Sequence, residues 1–296
     1  MDKLIYIPDP HYGARPISRK DNYNRSILNK LEHAFKVARK NHCTVIIGGD
    51  LFDKPSISML VFIELLMLFE KYSDVKMVIL RGNHFHDGSP ESSPLTMLGM
   101  FMRNVTLSDG RDYLDLPTTR LIFADNVTDP NTRDEFLSPE LNNVLLTHHI
   151  IVKDPVIYKH YLIADLKTNA DYVLIADYHP EQGIIQRGKT TFVSTGALAR
   201  RKNTSHDVGR KPKFAYLSDK GVVLKEIPCE TDVFIEKIID DTPEVNVLEN
   251  VKQMVELMDT SIMSENLFNA LDIFAKTTKV DDDVIKFVKE RLQNGT

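Results

Sequence analysis

Five short apolar runs in this sequence each lead, two or three residues on, into side chains that bind metal ions. Leu4-Ile5-Tyr6-Ile7 leads to Asp9 and His11. Val45-Ile46-Ile47 leads to Asp50, within Gly48-Gly49-Asp50-Leu51-Phe52-Asp53. Met77-Val78-Ile79-Leu80 leads to Asn83 and His84, within Arg81-Gly82-Asn83-His84. Val144-Leu145-Leu146 leads to His148 and His149, and Tyr172-Val173-Leu174-Ile175 leads to Asp177 and His179. Imidazoles mixed with carboxylates suit manganese, iron or zinc better than calcium. The donors outnumber what one ion takes, and a carboxylate such as Asp50 can bridge two. Two cations about 3.5–4 Å apart can clamp both the attacking and the leaving oxygen of a displacement at phosphorus.

The elements that must position these residues are legible as patterns. The apolar runs read as strands buried on both faces, and binding sites of open α/β sheets lie beyond the carboxyl ends of strands. Ile27, Leu28, Leu31, Ala34, Phe35 and Ala38 recur at helical spacing; a second apolar helix is expected from Pro55-Ser56 to about Tyr72; Ser93-Pro94 reads as a cap opening a third, to about Met102. Further strands are expected at Leu121–Phe123, Thr191–Val193, Phe214–Leu217 and Val222–Leu224. An α/β beginning and a strand-rich second half call for two packed sheets flanked by helices. Singly, each motif has a plain structural reading: a turn aspartate, a helix cap, a core histidine. Their order and their common place at strand ends are what point to a metal site.

Composition bounds the rest. The chain has 296 residues, 42% hydrophobic and 27% charged, enough for one large domain with a small appendage. A formal net charge of -5 leaves nucleic-acid contact to local basic patches rather than to bulk charge. Two such patches are candidates: Arg15, Arg19, Lys20 and Arg25 after His11, and Arg200, Arg201 and Lys202 through Arg210, Lys211 and Lys213 after the last ligand. Neither has groove-reading character, so any contact would be to phosphate. Cys43 and Cys229 lack framework spacing, which suggests a reducing compartment. The longest apolar run, Met59 to Phe69, is broken by Glu64 and falls short of a bilayer span, so a cytoplasmic protein without membrane partners is expected. From Glu244 onward the pattern is helical, which divides the chain at about 240 into a main domain, 1–240, and a helical tail, 241–296.

The series Asp9-x-His11, Gly49-Asp50, Gly82-Asn83-His84, His148 and His179 resembles the calcineurin-like metallophosphoesterase signature. Asp21 to Phe35 with Gly49-Asp50-Leu51-Phe52-Asp53, Asp171-Tyr172-Val173, Thr195-Gly196-Ala197-Leu198 and Phe214 to Pro228 narrow the likeness, which covers roughly residues 1–240, to SbcD-type recombination and repair nucleases. The resemblance implies a four-layer two-sheet sandwich and two divalent ions, Mn(II) first and Mg as the alternative. It implies that Asp9, His11, Asp50 and His179 hold one ion, that Asp50 bridges, and that Asn83, His148 and position 177 hold the other. His84 would protonate the leaving oxygen. The activity implied is hydrolysis of DNA as exonuclease and endonuclease, with an SbcC-type ATPase as partner, a homodimer as a further expectation, and the tail as a reduced cap or partner-binding segment. Two competitors stand beside it: an esterase of small phosphodiesters or phosphoproteins, and a DNA-end-binding scaffold with a weakened second site. The sequence departs from the family where Asp177 replaces a histidine and where Phe85 replaces an aspartate that supports the acid; His149 and His86 are residues able to compensate.

Overall fold

Strand β1 (Leu4–Ile7) buries all four of its side chains, and alternation sends them to opposite sides: Leu4 and Tyr6 toward one core, Ile5 and Ile7 toward another. In the computed structural model, which describes residues 1–85, 93–108, 112–204 and 206–235, this double burial organises the chain. Helix α1 (Tyr23–Asn41), β2 (Thr44–Ile47), α2 (Met59–Lys71), β3 (Met77–Leu80), α3 (Pro94–Phe101) and β4 (Val105–Ser108) complete an alternating α/β run. There follow β5 (Tyr113–Asp115), β6 (Thr119–Ala124), β7 (Asn142–His148), β8 (Ile151–Val152), β9 (Tyr161–Leu162), β10 (Tyr172–Ala176), β11 (Gly183–Arg187), β12 (Thr190–Ser194), β13 (Lys213–Ser218) and β14 (Gly221–Glu226).

Two six-stranded mixed sheets result. The first has the order β14-β13-β1-β2-β3-β4, with β1 to β4 parallel and β13 antiparallel to β1. The second has the order β11-β12-β10-β7-β6-β5, parallel in its middle and antiparallel at both edges. Leu4, Tyr6, Ile46, Val78 and Leu80 of the first sheet meet Leu121, Phe123, Val144, Leu146, Leu174 and Val193 of the second. Ile5, Ile7, Val45, Ile47, Met77 and Ile79 face the three helices. The outer face of the second sheet is covered differently: a 3-10 segment, Pro130–Phe136, and the small β8-β9 pair lie over Ile122, Leu145, Val173 and Phe192. The expected α/β sandwich of two sheets is therefore present, and among the described residues its α-helices flank the first sheet.

Local chemistry fixes the helices. Asn22 caps α1 by accepting from the Arg25 amide, and His42 ends it with φ of 55°. Helix α2 starts at Met59 under a Ser58 cap rather than at Pro55, because Ser58 is extended and accepts from the Val61 amide. Ser93 caps α3 with Pro94 in its first turn, as expected. No described helix is long and apolar enough to cross a membrane. The chain divides between Ile235 and Glu236, and the expected helical tail lies outside the described residues.

One element of the core is polar. Lys30, on the buried face of α1 with Ser26, is fully buried and its Nζ has no hydrogen-bond partner among the described residues. Burial first, then Arg200 and Arg19, brings its pKa down to about 8, with Cys229 and Glu230 opposing them. Between that value and the ordinary lysine pKa, 10.5, the unfolded chain holds the proton and the folded chain does not, so stability rises with pH across this window. Below pH 8 the buried charge costs on the order of 3 kcal/mol. Lys30→Met is expected to raise the thermal midpoint at pH 7 and to flatten the rise in stability between pH 8 and 10.5. A lower midpoint, or an unchanged pH slope, would show that the ammonium is compensated.

Candidate metal centre

The loops beyond the parallel strands meet across the sandwich. His148, at the end of β7, pairs its Nδ1 with the Gly48 carbonyl at 2.9 Å, and the Asp177 amide after β10 donates to the Asp9 carboxylate at 3.1 and 3.3 Å. To turn sharply enough, these loops put four non-glycine residues in the left-handed region: Asp9, His11, Asp50 and Asp177, with φ of 50°, 46°, 43° and 71°. Among the described residues the one other such residue is His42, where α1 ends. Backbone of this kind costs about 1–3 kcal/mol per residue and tends to cluster at functional sites. Two glycines make the close approach possible. A Cβ on Gly49, whose φ is 117°, would stand 2.1 Å from His148 Nδ1, and one on Gly82 would stand 1.9 Å from Asp50 Oδ1.

The donors converge as three overlapping sets, one of them His11, Asp53 and His84. Asp9, His11 and His179 each offer an atom within 4.8 Å of the others, and so do Asp9, Asp50 and His148. Asn83 Oδ1 lies 3.3 Å from His148 Nε2. Asp50 Oδ2 is the hub, 3.8 Å from His11 Nε2, 3.5 Å from His148 Nε2 and 3.6 Å from His84 Nε2. Asp9, His11, Asp50 and His148 are buried; Asn83, His84, Asp177 and His179 are half-buried, the His84 side chain 33% exposed. The His84 amide donates to Asp50 Oδ1 at 3.1 Å.

Electrostatics set the protonation. Burial pushes Asp9 up to about 8, with His148 pulling down and Asp50 and Asp177 pushing further up. Burial would raise Asp50 too, but the imidazoles of His148, His11 and His84 outweigh it and hold Asp50 below the usual carboxylate range. His148 goes up to about 10: burial opposes the charge, and Asp50, Asp177 and Asp9 overcome it. Burial and the Arg201 guanidinium bring His179 down to about 3 and hold His11 low as well.

This donor set fits divalent cations. Neutral His11 and His179 set their Nε2 atoms 3.1 Å apart. Two neutral imidazole nitrogens this close together suit a shared cation. His148 gives Nδ1 to a carbonyl, leaving Nε2 toward Asp50 and Asn83, the arrangement that fixes a ligating imidazole. The protons on Asp9 and His148 occupy charge positions that cations take over on binding.

Several residues stand otherwise than their sequence positions suggest. Asp177 reaches the pocket, where burial raises its pKa against the pull of His148, but its carboxyl belongs to none of the three sets; what it supplies is the amide that holds Asp9. His149 packs edge-on against Tyr161 at 5.5 Å, outside all three sets, and His86 lies outside the described residues. The support for His84 that Phe85 leaves open comes from the Asp53 carbonyl, which pairs with His84 Nδ1.

The basic run is corrected most. Arg200 is 1% exposed and donates to the Glu230 carbonyl, so it cannot meet phosphate. Arg210 is tied to the Ala197 and Ala199 carbonyls at 2.7 Å and to Asp207. Arg201 donates to Asp53. Lys211 is an exposed residue paired with Glu226 at 3.0 Å, Lys202 is half-buried with its amide on Asp207, and Arg15 is exposed. Of the patch after His11, Arg19 is buried against Asp21. Asp53 is a site residue that sequence reasoning misses, although it stands three residues after Asp50.

No family model matches this sequence. Over 103 residues the chain is 31% identical to the DNA double-strand break repair protein Mre11 of Aeropyrum pernix; the match covers 34% of this chain and 24% of that protein. The chain thus spans about a quarter of the length of the curated relative it matches. One solved structure is similar with a TM-score of 0.48 at 13% identity, over 76% of this chain and 99% of that one. The 5'-nucleotidase precursor from Thermus thermophilus is similar with a TM-score of 0.46 at 12% identity, over 87% of this chain and 60% of that one.

Gly82→Ala is expected to weaken Mn(II) binding, measured by titration calorimetry, by at least about tenfold through displacement of Asp50. Its circular dichroism spectrum should match wild type. Unchanged affinity would mean that Asp50 does not need the space that Gly82 leaves open.

Proposed function

We propose that this chain is a two-metal phosphodiesterase that cleaves DNA, as the nuclease subunit of an SbcCD-like complex. The observation that carries the reading is Asp50 Oδ2 standing within 4 Å of His11, His148 and His84, among three overlapping donor sets. The name of the Mre11 relative supports the choice of DNA. Asp9, His11, Asp50 and His179 would hold one ion, and Asn83, His148, Asp177 and the shared Asp50 the other. Mn(II) is the proposed metal, with Mg as the alternative. When bound, such ions acidify water and neutralise phosphoryl charge.

The chain's own residues do the rest. Left-handed backbone at Asp9, His11, Asp50 and Asp177 holds the donors in place before any substrate arrives. His84 is open to solvent on one side, its side chain 33% exposed. Its Nδ1 is fixed on the Asp53 carbonyl, so Nε2 is the atom free to deliver a proton to the leaving oxygen. Arg15 and Lys202 are retained as the proposed contacts to flanking phosphates, whereas Arg200 is withdrawn.

A homodimer is part of the reading. Met59, Leu60, Ile63 and Met67 on α2, and Met100 and Phe101 on α3, are exposed apolar side chains. Large apolar surface of this kind marks interaction sites. Leu60→Glu with Met67→Glu should convert a dimer to a monomer in light scattering; a wild-type chain that is monomeric at micromolar concentration would remove this part. The SbcC-type ATPase remains proposed on the resemblance, through residues 241–296.

Wild-type protein with Mn(II) should degrade linear double-stranded DNA and cleave a chromogenic small diester slowly. Asp50→Ala should abolish both with loss of bound metal. His84→Ala should keep its metal and lose about 10²–10⁴ in turnover. Hydrolysis of the small diester without DNA cleavage would favour a small-substrate esterase. Binding of one ion or none, with no turnover, would favour a scaffold.

A further inference from the structure

His11 is fully buried, and its Nδ1 has no hydrogen-bond partner among the described residues. An imidazole that binds a cation through Nε2 ordinarily donates Nδ1–H to a fixed acceptor. An acceptor in range is Asp53 Oδ1, at 3.5 Å, slightly beyond hydrogen-bond length. The same residue turns its main-chain carbonyl to Nδ1 of His84. One residue thus faces the rear nitrogen of a candidate ligand and of the candidate acid.

The Asp53 carboxylate is held in turn. Arg201 Nη1 donates to Oδ1, in an ion pair whose side chains are both largely buried. Arg201 is itself aimed by its surroundings. The Asp207 carboxylate accepts from the Arg201 and Lys202 amides at 2.8 and 3.1 Å, and Ser18 Oγ donates to the Arg201 carbonyl at 2.6 Å. Just upstream, the Leu198 and Ala199 amides donate to the Pro8 and Asp9 carbonyls at 2.9 and 3.3 Å. The segment that carries Arg201 therefore also fixes the loop that carries Asp9.

We propose that Asp53 and Arg201 form a positioning pair: the Asp53 carboxylate, clamped by Arg201, orients His11 for cation binding, while the Asp53 carbonyl orients His84 independently of that side chain. This rests on the two-metal reading above. It assigns Arg201 to the interior architecture of the site instead of to the nucleic-acid surface. It also separates two effects within one residue. Substituting the side chain disturbs His11 and the cation, and leaves the carbonyl that serves His84 in place. Arg201 aims the Asp53 carboxylate, so the two substitutions are coupled rather than independent.

The test measures Mn(II) affinity by titration calorimetry and small-diester turnover at saturating Mn(II), on Asp53→Ala, Arg201→Ala and the double variant. Asp53→Ala should weaken Mn(II) binding by about 10–100-fold, with turnover restored to within a few-fold once the metal is saturating. Arg201→Ala should show a smaller loss, and the double variant should lose no more than Asp53→Ala alone. If an alanine variant does not fold, Asp53→Asn, which keeps the shape and removes the charge, carries the same expectation of weakened, metal-rescuable activity. Unchanged Mn(II) affinity in folded Asp53 variants, losses that add in the double variant, or turnover that saturating metal does not restore would each overturn the positioning pair. A wild-type chain that binds no Mn(II) would instead overturn the two-metal reading beneath it.

Discussion

Carboxylates and imidazoles sunk into one pocket at the strand ends are the constraint on which the rest of this structure depends. Buried charge is costly unless it is paired or coordinates a metal. In this pocket burial pushes Asp9 up to about 8 and the surrounding carboxylates carry His148 up to about 10, while the imidazoles hold Asp50 below the usual carboxylate range. A site whose charge is balanced by displaceable protons takes up divalent cations by releasing them.

The fold serves this pocket by bringing strand ends from two sheets together. Parallel β1, β2 and β3 deliver Asp9, Asp50 and Asn83 from the first sheet, and parallel β7 and β10 deliver His148 and Asp177 from the second. The two sets are stitched by direct bonds, His148 to the Gly48 carbonyl and the Asp177 amide to Asp9. Glycines at 49 and 82 leave no side chain where the donors must pass. Left-handed backbone at four candidate ligands is the local strain that the sandwich core sustains.

What is legible in the sequence follows from burial. β1, β2, β3, β7 and β10 are covered on both faces and so appear as unbroken apolar runs. The strands that escape a sequence reading are short or at sheet edges: β5 and β11 are partly exposed, β8 and β9 have two residues each, and β4 closes the first sheet as an edge. The candidate ligands are readable because each follows such a run. The basic segment is not. Arg200, Arg201 and Arg210 look alike in sequence, and what separates them is the acceptor each one finds in the fold: Glu230, Asp53 and the Ala197 and Ala199 carbonyls. Asp53 escapes notice for a similar reason, since its role is defined by His11, His84 and Arg201 rather than by its neighbours in sequence.

Two cations sharing the Asp50 carboxylate are the central claim. Anomalous diffraction at the manganese edge, from crystals equilibrated with Mn(II), tests that most directly. Two peaks are expected, one against Asp9, His11 and His179, the other against Asn83 and His148, with the Asp50 carboxylate touching both. A pocket without anomalous signal, or a single peak that leaves Asp50 uncoordinated, would contradict it.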